Sequence, residues 1–143
     1  WAEVGILPFF PLACGLLAGR YTRGEQPPED SRAGSWGANM RRYFDYYGNE
    51  TALDAVDALA EFARARDHSP AQLAIAWLLH RPMVGSVIAG VSKLSQLEDN
   101  VKAAEWELTA DELKEVNQII GAPRRPLPTS WDWTDGELDR GQP

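Results

Sequence analysis

The residues best suited to chemistry in this chain fall in two short runs, each rich in small residues and each holding a cation. One is Gly90-Val91-Ser92-Lys93-Leu94-Ser95-Gln96-Leu97-Glu98-Asp99-Asn100, which reads as a strand exit passing into a helix. The first amides of a helix have no intrahelical acceptor and carry the positive end of its dipole, so they attract anions. Ser92 and Ser95 add hydroxyls. Lys93 is electrostatically unfavourable at a helix start unless an anion sits there. Phosphate binding and a plain capped helix both fit these residues. The other run is Pro11-Leu12-Ala13-Cys14-Gly15-Leu16-Leu17-Ala18-Gly19-Arg20. Gly15 and Gly19 would let backbone amides approach a ligand closely, and Arg20 adds a cation. A turn that binds nothing has the same composition.

Other reactive side chains are few. His68 and His80, the two histidines of the chain, fall at a helix–helix turn and a helix end and read as structural. No spacing suggests a metal site, and no residue is singled out as catalytic. Tyr43, Tyr46 and Tyr47 join Trp36 and Phe44 in a loop, where packing or the substrate side suits them better than acid catalysis. Cys14 is the single cysteine, so an intramolecular disulfide is excluded and a reducing compartment, the cytoplasm, is expected. Arg41-Arg42 and Arg124-Arg125 are basic pairs that read as solvated surface.

The elements that must position these residues follow from periodicity. Residues 4–10, Val-Gly-Ile-Leu-Pro-Phe-Phe, predict a short buried strand in which Pro8 removes a ladder donor. A long loop, 13–50, follows, with a helical turn or two possible over Met40–Tyr47; loops of this length are uncommon in compact domains and are usually functional or disordered. A helix begins near Thr51, with Leu53, Val56, Ala60 and Ala63 on one face. Asp54 and Asp57 early in it and Arg64 and Arg66 late suit its dipole. Ser69-Pro70-Ala71-Gln72 is a capping box opening a helix that is apolar all round, hence sandwiched, and that ends at Pro82. Residues 84–91 predict a second buried strand. Ser92 is then expected to cap a helix bearing Leu94, Leu97 and Val101. Thr109 with Glu112 opens a last helix, carrying Leu113, Val116, Ile119 and Ile120 and stopping at Gly121. The tail 123–143 shows no periodicity. Strands separated by helices imply βαβ units and parallel pairing. Two strands cannot satisfy both edges of a sheet, so these elements look like part of something larger. The opening Trp1 in place of Met points the same way.

The 143 residues predict one domain, which alone would bury roughly 68% of its unfolded surface. The net charge of −7 argues against nucleic acid as a partner. No run approaches the ~20 apolar residues of a membrane span, and no basic region opens the chain as in a signal peptide.

Three of these segments together resemble the aldo/keto reductase family. Phe9 to Tyr21 is similar to its seventh-strand segment, Ser69 to Trp77 to its seventh barrel helix, and Gly90 to Asn100 to its eighth-strand cofactor loop, G-x-S-x-x-x-Q-L-x-E-N. The likeness runs over residues 4–121 and is greatest to the branch of bacterial general reductases and potassium-channel β subunits. It implies an α/β fold in which residues 1–122 are the C-terminal part of a (β/α)8 barrel and 123–143 an extended tail. The family binds NADP(H) and reduces carbonyls by hydride transfer.

Carried over by position, the resemblance puts Phe9 on the nicotinamide face, with Phe10 where a serine is usual. Pro11, Leu12, Ala13 and Cys14 would line the pyrophosphate, Arg20 would pair with phosphate, and Arg32 would cover the adenine end. Gly90, Ser92 and Lys93 match the loop for the adenosine 2′-phosphate, so NADPH is expected over NADH. Gln96, Asp99 and Asn100 match helix residues facing the adenosine. Phe10 lacks a hydroxyl and Asp99 is one methylene shorter than the usual glutamate. The family's Asp, Tyr, Lys and His tetrad, which comes from strands two to four, has no counterpart here. The chain alone is therefore expected to be inactive, the parent enzyme to take a small carbonyl substrate, and the exposed strand edges to draw in a second copy or the rest of the barrel. A non-catalytic nucleotide-binding or interaction module of the same family is the alternative.

Overall fold

The computed structural model describes residues 4–21, 23–29, 31, 34 and 48–121. The tail from 122 onward, Arg32, Trp36 and the aromatic and basic residues of 40–47 lie outside the described residues. Four α-helices stand among those described: α1 (Glu50–Arg64), α2 (Pro70–Leu79), α3 (Leu94–Lys102) and α4 (Ala110–Ile120). Short 3-10 helices precede α1 at Ala13–Ala18 and follow α3 at Ala103–Glu105.

Helix boundaries are set by side chains that take up the orphan amides of the first turn. Asn49 caps α1 by accepting from the Ala52 amide at 3.1 Å. Ser69 accepts from the Gln72 amide at 3.1 Å while the Gln72 carbonyl takes the Ser69 amide at 3.2 Å, so the capping box opening α2 is complete. Thr109 and Glu112 form the same box at α4, and Gly121 ends that helix at φ +70°.

Three helices share one core. Phe62 and Ala63 of α1, Leu73 and Ala76 of α2, and Val116 of α4 are buried together with Leu108. Trp77 and Trp106 pack on their flanks. As its all-round apolar sequence requires, α2 is the most enclosed helix, with Ala71, Gln72, Leu73, Ile75 and Ala76 buried. Polar clamps close the rim: Arg66 lies 3.6 Å over the Phe62 ring and bonds Glu112 at 2.8 Å, and Asn117 accepts from both Trp77 and Arg81 at 3.1 Å.

The two expected strands form one parallel bridge, Ile6 to Val84. Ile6 N–H donates to Met83 at 2.7 Å and Gly85 N–H to Ile6 at 3.2 Å. Pro8 then contributes only its carbonyl, accepting from Ile88 at 2.8 Å, one residue beyond the regular parallel register. The expectation of two buried strands is corrected here. Val4, Ile6, Leu7, Phe9, Ile88 and Val91 are all exposed, because no neighbouring strand among the described residues covers or extends the pair. The long loop also differs from its irregular expectation at its start, where Ala13–Ala18 winds into a 3-10 helix. Finally, the N-cap position of α3 is Lys93 rather than Ser92, and its side chain makes no capping hydrogen bond.

Candidate functional site

Because Ile6 and Val84 pair in parallel, both segments leave the bridge in the same direction. The Phe9–Arg20 and Gly90–Lys93 loops therefore start from one end of the pair, the carboxyl end where ligands bind in open α/β sheets and barrels. This juxtaposition is the scaffold of the candidate site.

The first loop is tightly wound. Ala13, Cys14 and Gly15 follow one another at φ +45°, +60° and +103°, a left-handed run that is costly for the two residues bearing a Cβ. It is held by local bonds: Ala13 N–H to Phe10 at 3.1 Å, Gly15 N–H to Leu12 at 2.9 Å and the Tyr21 hydroxyl to the Cys14 carbonyl at 2.7 Å. Cys14 is buried, Pro11, Leu12 and Ala13 are half-buried, and Arg20 is exposed. Phe9 is 65% exposed and Phe10 half-buried, their rings 4.6 Å apart at 47°. Both rings face a cleft of about 1430 Å³ whose walls include Leu17, the Ala55 and Leu59 side of α1, Trp77 and Ile119.

The second loop presents donors. The Ser92 amide, the Ser92 hydroxyl and the Lys93 amide converge on a single oxygen, Oε1 of Gln96, at 2.9, 3.3 and 3.2 Å. Gln96 thus reaches back from the first turn of α3 to the two amides that precede the helix. Gly90, Ser92, Lys93 and Gln96 are exposed and Asn100 is half-buried. Asp99, expected beside adenosine, points elsewhere: Oδ2 accepts from the Ser69 hydroxyl and Oδ1 from the Gln72 side-chain amide, both at 2.7 Å.

The sequence comparison decides the family. The sequence profile of the Aldo/keto reductase family matches residues 1–121. The chain belongs to the aldo/keto reductase family. An L-glyceraldehyde 3-phosphate reductase from Escherichia coli O157:H7 is 40% identical over 118 residues, 82% of this chain and 34% of that protein. A protein described as a putative voltage-gated potassium channel subunit beta from Schizosaccharomyces pombe is 35% identical over 118 residues, 81% of this chain and 34% of its own length. Among solved structures, a glycerol dehydrogenase from Gluconobacter oxydans superposes with a TM-score of 0.62 at 26% identity, covering 88% of this chain and 37% of that one. The chain thus spans about a third of the length of the curated relatives it matches.

Against this aldo/keto reductase background, the tertiary structure gathers the candidate residues into separate groups. Phe9, Phe10, Pro11 and Ala13 line the large cleft; Asp99 lines a different, polar one with His68, Ser69 and Gln72; Gly90, Ser92, Lys93 and Gln96 border neither. Arg32 lies outside the described residues. One feature escapes sequence reasoning. Arg23 bonds Asp54 at 2.7 Å and Asp57 at 3.2 Å and also pairs with Glu50, tying the end of the first loop to α1. These carboxylates hold the guanidinium pKa above its ordinary value, the Asp54 and Asp57 hydrogen bonds acting most strongly. The one available signal, acidic residues spaced along the first turns of α1, is equally explained by the helix dipole. His68, read from the sequence as structural, stacks its ring on Trp106 at 3.8 Å, and its Nδ1 meets the Gln72 side-chain carbonyl at 2.7 Å. That contact is structural, as is His80 Nδ1 on the Ala76 carbonyl at 3.0 Å. Among the described residues no cluster of His, Cys, Asp and Glu is placed to hold a metal ion, and no helix is long and apolar enough to cross a membrane.

Proposed function

We propose that this chain is the C-terminal, cofactor-holding portion of an NADP(H)-dependent aldo/keto reductase that interconverts small carbonyl compounds and alcohols. Bound NADPH supplies the hydride in such chemistry. The observation that carries the reading is the convergence of the Ser92 amide, Ser92 hydroxyl and Lys93 amide on one acceptor oxygen at the start of α3. Donors so arranged suit a phosphate oxygen, and Gln96 Oε1 occupies the acceptor position. The exposed Lys93 ammonium adds the charge that distinguishes a 2′-phosphate from a 2′-hydroxyl. Gly90, Gln96 and Asn100 complete this adenosine side. On the neighbouring loop, Phe9 offers an exposed ring to the nicotinamide, Phe10 backs it, and Pro11 to Cys14 with Arg20 lie along the pyrophosphate. Arg32 belongs to the same set by its place in the sequence. Relatives named for glyceraldehyde phosphate reduction and glycerol oxidation support carbonyl–alcohol chemistry.

No proton donor is assigned within this chain, so catalysis requires residues from the remaining length of such a protein. The apolar residues exposed along 4–9 and 88–91 support the same view, since the rest of a barrel or a second copy would cover them. A second reading, a nucleotide-binding partner module without turnover, is favoured by the 35% identity to a protein described as a channel β subunit.

Titration of the chain with NADPH and NADH, followed by tryptophan and nicotinamide fluorescence, tests the proposal. NADPH is expected to bind more tightly. Lys93→Ala is expected to weaken NADPH by about tenfold, the lower end for a charge-assisted hydrogen bond, and to leave NADH unchanged. Equal affinities would overturn the 2′-phosphate assignment. Absence of binding would overturn a cofactor site assembled from this portion alone. Turnover by the longer protein separates the enzyme from the module.

A further inference from the structure

Helix α3 carries Gln96 and Asn100, yet buries none of its own residues. Its apolar stripe is turned outward, with Leu94 70%, Leu97 47% and Val101 57% exposed. Packing therefore does little to hold it. Two attachments stand out on its inner side: Ala103, just past its C-terminus and 1% exposed, and the half-buried Asp99 one turn earlier. The Asp99 carboxylate sits at the N-terminus of α2, where the dipole favours an anion, and each of its oxygens accepts one hydrogen bond at 2.7 Å. Both donors are themselves fixed. The Ser69 hydroxyl accepts from the Gln72 amide at 3.1 Å, and the Gln72 carbonyl accepts from the Ser69 amide and from His68 Nδ1. Gln72 is only 6% exposed, so its side chain is held by packing as well.

We infer that Asp99 is the positioning residue of α3: by docking on Ser69 and Gln72 it fixes the helix and, through it, the anion loop at 92–96. Asp99 and Gln96 are three residues apart and share one helix face, so anchoring the first orients the second. Gln96 in turn gathers the Ser92 and Lys93 amides. This inference rests on the cofactor reading for its consequence, but the anchoring itself is measurable without any ligand.

Amide hydrogen exchange on the full chain tests it. Asp99→Ala is expected to speed exchange across α3 and at Ser92 and Lys93 by about tenfold or more, with the core amides of α1, α2 and α4 unchanged. Asp99→Asn, which keeps an acceptor for Gln72 and a partner for Ser69, is expected to restore most of the protection. Unchanged exchange in Asp99→Ala overturns the inference. Adenosine 2′,5′-bisphosphate serves as the ligand probe, its affinity falling in Asp99→Ala and recovering in Asp99→Asn. If Asp99→Asn protects α3 yet still loses the probe, Asp99 touches the ligand directly and the inference is wrong. If the variants show the expected exchange pattern and the unaltered chain does not bind the probe, the anchoring stands and the cofactor reading falls.

Discussion

The helical layer and the carboxyl edge of the parallel pair both carry large apolar side chains, and these end in opposite states. In the layer, α1, α2 and α4 supply one another's cover: Ala63, Leu73, Ala76 and Val116 are each at most 2% exposed. At the edge, Leu94, Leu97, Val101, Ile6 and Ile88 are 44–70% exposed, and order comes from hydrogen bonds instead. The layer satisfies itself because the apolar faces of α1 and α4 meet the all-round apolar α2. Each element at the edge has a face with no partner among the described residues. Rigidity there must come from polar contacts such as Asp99 on Ser69 and Gln72, which leaves the loops accessible to a ligand.

The sharpest way to break this contrast is a matched pair of truncations. Leu73→Ala is expected to cost about 2–5 kcal/mol, a large share of a typical domain's ~5–15 kcal/mol. Leu97→Ala is expected to change stability by less than about 0.5 kcal/mol. Urea denaturation measures both. Equal losses would mean that α3 is packed in solution against something the isolated chain lacks, and light scattering would then distinguish a second copy.

A smaller effect sharpens the account of the layer. The Glu112 carboxyl is held below its ordinary pKa, chiefly by the Thr109 amide it accepts from at 2.8 Å and also by the Thr109 hydroxyl and Arg66. A depressed folded-state pKa stabilises the fold above the unfolded value and withdraws that stability as pH falls through the folded one. Stability measured by urea titration should therefore decline below the ordinary glutamate pKa of about 4.3. Glu112→Gln should flatten that decline while lowering stability near neutrality. An unchanged acid limb would refute the assignment.

The smallest expected effect concerns the clamp joining the edge to the layer. Arg23 and its partners Glu50, Asp54 and Asp57 are solvent-exposed, so the cluster is weakened by salt. Arg23→Ala should lower the melting temperature slightly in dilute buffer and not at all in concentrated salt. A difference that persists in concentrated salt would show that Arg23 acts by packing.

How much was legible in the sequence differs between the two regions for a physical reason. Capping boxes are local chemistry: Ser69 with Gln72 and Thr109 with Glu112 are three residues apart, and both close as their spacing requires. Pro8 shortens its ladder because it lacks an N–H wherever it is placed. The exposure of residues 4–10 and 84–91 was not legible, since an apolar β-branched run records a need for cover and not whether cover is present. Nor was the direction of Asp99, as its partners lie 30 and 27 residues away. In the loop at 92–96, Lys93 takes the N-cap position expected of Ser92, and the Gln96 side chain reaches back to the Ser92 and Lys93 amides at once.

By itself, then, the chain's sequence determines where its helices start, where the parallel pair is interrupted and to which family it belongs, for these depend on neighbours along the chain and on motifs. Only the tertiary structure decides that Arg23 reaches α1 and that Asp99 faces α2. Those outcomes depend on which surfaces meet, and side chains distant in sequence compete for the same donors only after the helices have packed.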